Sequence, residues 1–388
     1  MSTVSLPMLT EAVPDHRAWR GPSLAPDRYL VRIPDECVAE MESVLAELRR
    51  APVPTLLLLP EHFALDTCAR WMKDVRDRLD EGPGFVVLDR LPLDSMSRQE
   101  AVDLYWLLGN LLEPPVAQEW KGTVIYDVRH DGQPFTENTR GALTPAGLEM
   151  HNDSSMGEAP PNYVSLMCLA TARSGGTSIV SSALAAHNHF LRERPELLRR
   201  LYEPFYRDHQ EYQAADAAAT NFRPVFAWDG QLRTRFNARH TFRGYEKTGR
   251  VLDEAGAEAV TLMENFLADP GNRLDLWLEP GQIQILNNRV IVHGRTPYED
   301  HDEPDRRRHL VRLWLRAGDR RHFRGWSDDK GPSASLAPST AVPRNTRDDR
   351  ADELSSAGPR HGPALPLRDY ASRAAFGRRF AAGPFSSL

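Results

Sequence analysis

Cysteine is scarce in this 388-residue chain, which has only Cys37, Cys68 and Cys168. An odd, sparse set gives no disulfide framework, and its spacing gives no zinc knuckle. A reducing cytoplasm is the default expectation. Long apolar runs are missing too. No segment approaches the roughly 20 apolar residues that a membrane span needs. The opening MSTVSLPMLTEAVPDHRAW has no basic start followed by an apolar core, so it does not read as a secretory leader. Nor is there a strong charge of either sign. The formal net charge is −6, and the short run Arg306, Arg307, Arg308 follows acidic residues without extending into a basic stripe. That argues against a nucleic-acid partner. No internal repeat is present. What remains is an ordinary globular composition, 41% hydrophobic and 26% charged, long enough to bury a sizeable core.

Residues 1–35 are Pro-rich and read as an irregular segment. From Glu36 to Arg50, apolar residues recur at helical spacing (Val38, Met41, Val44, Leu45, Leu48), and a second helix is expected over Leu65–Leu79. Gly82-Pro83-Gly84 stops it, and Phe85–Leu88 reads as a short buried strand. Ser97 with Glu100 forms a capping box for a helix ending near Leu112. From about Gly122 to Arg316 the pattern turns strand-rich. Strands are predicted at Thr123–Val128, Tyr163–Ala170, Thr177–Ser181, Leu274–Leu278, Gln282–Leu286, Val290–His293 and His309–Leu315. Helices are predicted over Ala183–Leu201, kinked or broken at Pro195, and over Glu254–Leu267. Many short strands with Gly and Pro turns favour a β-rich α+β fold with a sandwich or jelly-roll core over a doubly wound sheet. Residues 36–329 are expected to form one domain, helical at its start. Beyond Lys330 the Ser, Pro, Ala, Gly and Arg content predicts a flexible or loosely packed tail, with Phe376, Phe380 and Phe385 as candidates for docking back.

An oxygen-activating ferrous site takes two imidazoles and one carboxylate on one face, leaving the other positions open. A His-x-Asp pair on an extended segment supplies two of the three, because residues i and i+2 share a side. His151 and Asp153 are such a pair, with Asn152 directed away. The pair alone is weak evidence, since composition gives about two His-x-Asp/Glu matches by chance and the sequence has three. His209/Glu211 and His301/Glu303 sit in polar, charged stretches and read as solvated surface.

The context of His151 sets it apart. Downstream come Pro160-Pro161, the apolar stretch YVSLMCLA, and Gly175-Gly176-Thr177-Ser178. Much later come Asn288 and Val290-Ile291-Val292-His293-Gly294-Arg295, then Arg308-His309-Leu310-Val311-Arg312. In this order the motifs resemble the taurine dioxygenase/clavaminate synthase-like family of iron(II)/2-oxoglutarate oxygenases, over roughly residues 120–316. The resemblance implies a double-stranded β-helix (jelly-roll) core with flanking helices, and a site holding Fe(II), 2-oxoglutarate and O2. It implies His293 as the third metal ligand beside His151 and Asp153. It also implies Ser178, with Thr177 as fallback, as the hydroxyl donor to 2-oxoglutarate, and Arg308 as the partner of its distal carboxylate. Arg312 then faces the substrate or shares that task.

The physical chemistry of the residues agrees. A guanidinium offers a fixed fork to a carboxylate. Arg308 and Arg312, four apart on a strand, share a face, and burying them without an anion is costly. Tyr126, Arg129, Asn138 and Trp314 either line the pocket or serve packing and surface. The implied reaction oxidises a small substrate, anionic or amino-acid-derived, most commonly by hydroxylation. Halogenation is not expected, because Asp153 fills the coordination position that related halogenases leave to chloride. An oxygenase of carrier- or protein-bound substrates, using the N-terminal helices or the Arg-rich tail for docking, and a non-catalytic jelly-roll binding protein are the alternatives. Oligomeric state is not legible.

Overall fold

The computed structural model describes residues 7–119, 121–130, 132, 141–157, 159–210 and 218–317. Asn138, Glu211 and the tail beyond Lys330 lie outside the described residues. Helices α1 (Asp35–Arg50), α2 (Asp66–Asp80) and α3 (Arg98–Leu112) come first. They are followed by α4 (Ala183–Glu193), α5 (Pro195–Leu201), α6 (Ala238–Thr248) and α7 (Glu254–Ala268). The strands are β1 (Leu30–Val31), β2 (Phe85–Leu88), β3 (Pro115–Val116), β4 (Tyr126–Val128), β5 (Leu148–His151), β6 (Tyr163–Ala170), β7 (Ser174–Gly175), β8 (Ser178–Ser182) and β9 (Pro204–Asp208). They continue as β10 (Thr220–Pro224), β11 (Phe226–Trp228), β12 (Leu232–Thr234), β13 (Arg273–Leu276), β14 (Ile283–Asn287), β15 (Ile291–Arg295), β16 (Tyr298–Glu299) and β17 (His309–Leu315). The architecture is mixed, helix and sheet.

The larger sheet runs β1-β2-β14-β6-β17-β3, with β4 also paired to β17. The smaller runs β13-β8-β15-β5. Alternation along the large sheet gives each face its own core. Tyr163, Met167, Ile283, Ile285, Val311, Leu313 and Leu315 pack against α1, α2 and α3. Val164, Cys168, Leu286, Leu310 and Trp314 belong to the second core with the small sheet, α4, α5 and α7. Period-2 alternation explains the split, since consecutive strand residues leave opposite faces.

Local signals account for most boundaries. Ser97 accepts from the Glu100 amide (3.2 Å) while Glu100 accepts from the Ser97 amide (2.6 Å), which completes the expected capping box. Pro195 does separate two helices, α4 and α5. β6 and β17 match their predicted limits, and the other predicted elements shift by a few residues at most. Two parts differ from the reading. The N-terminal segment is irregular but buries Val13 and Trp19, and the Trp19 indole donates to the Pro83 carbonyl at 2.6 Å. The region between α5 and α7, for which no element was predicted, holds β9 to β12 and α6. Helix α6 buries Ala238, His240, Thr241 and Gly244, a face with no large apolar side chain, so its helical period is carried by the charged residues opposite, Arg239, Arg243, Glu246 and Lys247. Gly244 is required there, because a Cβ would lie 2.5 Å from the Tyr206 backbone carbonyl. All three cysteines are buried free thiols. Among the described residues no helix is long and apolar enough to cross a membrane.

Candidate active site

His151 ends β5 and His293 is the middle residue of β15. The two stand directly opposite each other in the antiparallel register, and their ring centroids lie 4.4 Å apart. Asp153 comes two residues past the strand end, within a turn in which Ser154 adopts φ +53°. A turn, not strand alternation, therefore brings Asp153 to the histidines, and Asn288 fixes it. The Asn288 side chain accepts from the Asp153 amide and donates to the Asp153 carbonyl, each at 2.9 Å. Asn152 points away from the imidazoles, as expected, but into protein. It accepts from the Phe236 amide (2.8 Å) and donates to the carbonyls of Asn288 and Ile291 (2.9 Å each). These two asparagines are the residues whose structural role the sequence did not display.

Asp153 Oδ1 lies 3.3 Å from His151 Nε2 and 3.6 Å from His293 Nε2. One ligand atom from each of the three residues falls within 4.8 Å of the others. The His151 Nδ1 sits 2.8 Å from the Glu149 carbonyl, an acceptor, so this nitrogen carries the proton and Nε2 presents a lone pair. The other carboxylate oxygen, Asp153 Oδ2, accepts from the Trp314 indole (2.7 Å) and lies 3.0 Å from Arg312 Nη1. Burial pushes this carboxyl up, but the Arg312 guanidinium and the two imidazoles outweigh it and hold Asp153 well below the usual range. Burial lowers His293 to about 3, which keeps it a neutral donor.

The triad borders a cavity of about 250 Å³. Ser178, Arg295, Arg308 and Arg312 line it. Ser178 is in register with Arg295. Thr177 instead donates its amide to Thr296 Oγ1 at 3.0 Å, leaving Ser178 as the hydroxyl on the cavity wall. Arg308 is 4% exposed and Arg295 is 5% exposed. They share the Tyr298 ring, with guanidinium carbons 5.1 and 4.8 Å from its centroid. Among the described residues Arg308 Nη1 and Arg295 Nε and Nη1 have no hydrogen-bond partner. Gly176, at φ +74°, allows Arg308 its position, because a Cβ there would lie 2.8 Å from Arg308 Nε. Arg312 donates to Gln118 Oε1 (2.7 Å) and lies over both Tyr126 (5.0 Å) and Trp314 (5.2 Å).

Tyr126 therefore packs beneath Arg312, Trp314 lines the cavity, and Arg129 is exposed. His209 departs from the sequence reading. It is 3% exposed, not solvated, because β9 and β10 enclose it and the Ala218 carbonyl meets its Nδ1 at 2.8 Å.

The family model for "Taurine catabolism dioxygenase TauD, TfdA family" matches residues 57–314. The chain belongs to this family. As a member, it is an iron(II)/2-oxoglutarate-dependent dioxygenase. FR-33289 synthase of Streptomyces rubellomurinus (strain ATCC 31215) is 28% identical over 265 residues, which is 67% of this chain and 76% of that one. Uridine-5'-phosphate dioxygenase of an Amycolatopsis species is 30% identical over 182 residues, 46% of this chain and 64% of that one. Among solved structures, asparagine oxygenase in complex with Fe(II), 2S,3S-3-hydroxyasparagine and succinate shares the fold. Its TM-score is 0.59 at 20% identity, covering 74% of this chain and 93% of that one.

The residues present fit the cofactor pair of a TauD/TfdA-family enzyme. Two imidazoles and one carboxylate are the donor set that non-haem iron(II) takes with positions left open. Buried guanidinium nitrogens without acceptors are costly, and a carboxylate entering beside them satisfies them.

Proposed function

We propose that this enzyme hydroxylates an unactivated C–H bond of a small, anionic or amino-acid-derived substrate, and that His151, Asp153 and His293 hold its iron. The observation that carries the reading is the meeting of those three side chains at a cavity whose wall holds two buried, incompletely satisfied arginines. The two facing sheets are read as the halves of a jelly roll, and residues 36–329 as one catalytic domain. When bound, iron(II), 2-oxoglutarate and O2 together supply the oxidising power, and the keto acid leaves as succinate and carbon dioxide while the other oxygen atom enters the C–H bond.

The protein's part is positional. Glu149 fixes the His151 tautomer through its carbonyl. Arg312 and Trp314 occupy Asp153 Oδ2, which leaves Oδ1 for the metal. Asn288 holds the Asp153 backbone, and Asn152 ties that turn to Phe236. Arg308 and Ser178 receive the distal carboxylate of 2-oxoglutarate, with Tyr298 orienting Arg308. The face of Arg312 turned to the cavity is available to a substrate anion. The activities of relatives support a small-molecule substrate, since one is a uridine-5'-phosphate dioxygenase and a solved neighbour holds 3-hydroxyasparagine.

Anaerobic titration tests this. Iron(II) with 2-oxoglutarate should give the protein a weak visible charge-transfer band, and admitting oxygen should release succinate, faster when a metabolite panel includes the substrate. His293→Ala should lose both signals while remaining folded. A wild-type protein without band or succinate would refute the reading.

A further inference from the structure

Helix α6 begins at the metal site. Asn237, its N-cap residue, makes an isolated antiparallel bridge to His151, so the backbone of a candidate metal ligand fixes where the helix starts. Asn237, Arg239 and His240 all line the cavity that Ser178 and Arg308 also border. Asn237 uses its side-chain oxygen to accept from the His240 amide at 2.9 Å. Its side-chain NH2 makes no hydrogen bond among the described residues. His240 is 7% exposed, and its Nδ1 is buried with no partner among the described residues. No hydrogen bond among the described residues uses that nitrogen, although leaving a buried ring nitrogen unpaired is costly.

Donors outnumber acids on this wall, where Glu149 and Asp153 are the carboxylates among the lining residues. The start of an 11-residue helix carries partial positive charge, and its first amides point outward. The Asn237 NH2 and one His240 nitrogen are donors, and Arg239, which has a partner of its own, adds its charge beside them. The nearest buried acid behind them, Asp208, is already held by Lys247 (2.7 Å) and Arg243 (3.0 Å). On the cavity wall, Asp153 is committed to Arg312 and Trp314, and Glu149 is exposed. Burial lowers His240 to about 3, so its ring is neutral.

We propose that the first turn of α6, through Asn237 and His240, binds the oxyanion end of the substrate, a carboxylate, phosphate or phosphonate, and thereby sets which carbon faces the metal. This rests on the oxygenase reading above and gives the main part in holding the substrate anion to α6 rather than to Arg312, whose guanidinium is engaged by Asp153 and Gln118. It also explains why a neutral imidazole is buried unpaired beside a helix start.

The test uses the full chain loaded anaerobically with iron(II) and 2-oxoglutarate, with its visible band recorded. Methylphosphonate, methyl phosphate, acetate and, as a control, methylammonium are titrated by calorimetry. At least one oxyanion should bind saturably and methylammonium should not; comparing the oxyanions separates a carboxylate end from a phosphorus one. Asn237→Asp keeps a good N-cap but sets a negative charge at the same place, and should weaken oxyanion binding by about tenfold or more. Asn237→Ser keeps the cap without the charge and should weaken it less. His240→Gln should also weaken it, and none of the three should change 2-oxoglutarate affinity. Failure of every oxyanion to bind the loaded wild type, or equal binding in wild type and Asn237→Asp, would overturn the proposal while the band leaves the metal reading intact. A wild type without the band would sink both.

Discussion

The two faces of the large sheet are built from the same strands and obey opposite rules. Toward α1, α2 and α3, β17 offers Val311, Leu313 and Leu315, and β14 offers Ile283 and Ile285. Toward the cavity the same strands offer Arg312, Trp314 and Gln284, with Arg308 just before β17. The helix side is closed mainly by apolar packing, with the Tyr163 hydroxyl donating to Asp80 of α2. The cavity side holds buried charge that packing leaves incompletely satisfied, the usual mark of a place where stability is given up for binding. A single residue step along β17 thus separates a position that holds the fold from one that serves the site.

That contrast can be broken from either side. Leu313→Ala, on the fully buried helix side, should cost about 2–5 kcal/mol of stability, read by denaturant unfolding, while 2-oxoglutarate affinity in the folded fraction stays unchanged. Loss of co-substrate binding at full stability would show that the faces are not independent. Arg308→Met, on the cavity side, should weaken 2-oxoglutarate binding by about tenfold to a hundredfold and leave stability unchanged or raised, because an incompletely satisfied buried cation is removed. A marked fall in stability would mean that Arg308 belongs to the packing after all.

The smallest effect lies behind the small sheet, at Glu264 on α7, where burial and then the Glu149 charge push the carboxyl up to about 8. Its folded value is above the ordinary 4.5, so the stability it favours is complete below pH 4.5 and is lost as pH rises toward and through 8. Glu264→Gln should flatten the decline in melting temperature between pH 5 and 9, and an unchanged slope would locate that decline elsewhere.

Much of this was legible from residue patterns, and the failures have causes. β6, β17 and the capping box at Ser97 carry strong local signals, a long apolar run or a paired side-chain exchange, so they stand where the sequence puts them. The cluster of His151, Asp153 and His293 was legible because ordered motifs flank each member. The route by which Asp153 arrives was not, since a turn fixed by Asn288, 135 residues away in sequence, leaves no local trace. Helix α6 escaped notice because its buried face of Ala, His, Thr and Gly shows no large apolar residue, and its period is written in the charged residues opposite. His209 was misread for the converse reason, as polar neighbours in sequence do not reveal what folds over a residue. Arg312 was expected beside a ligand anion, and its guanidinium is already engaged by Asp153 and Gln118.

The head-on placement of residues 151 and 293 also bears on how the outermost ribbon of the small sheet is kept in place. β5 has β15 on one flank and only the lone bridge to Asn237 elsewhere, and its ladder is interrupted by an irregularity between 293 and 295. Sliding it by a single position would send the imidazole of 151 to the opposite side. A cation held by both rings, as proposed, would clasp this border of the sheet, so that loading the enzyme and locking its edge would be one event.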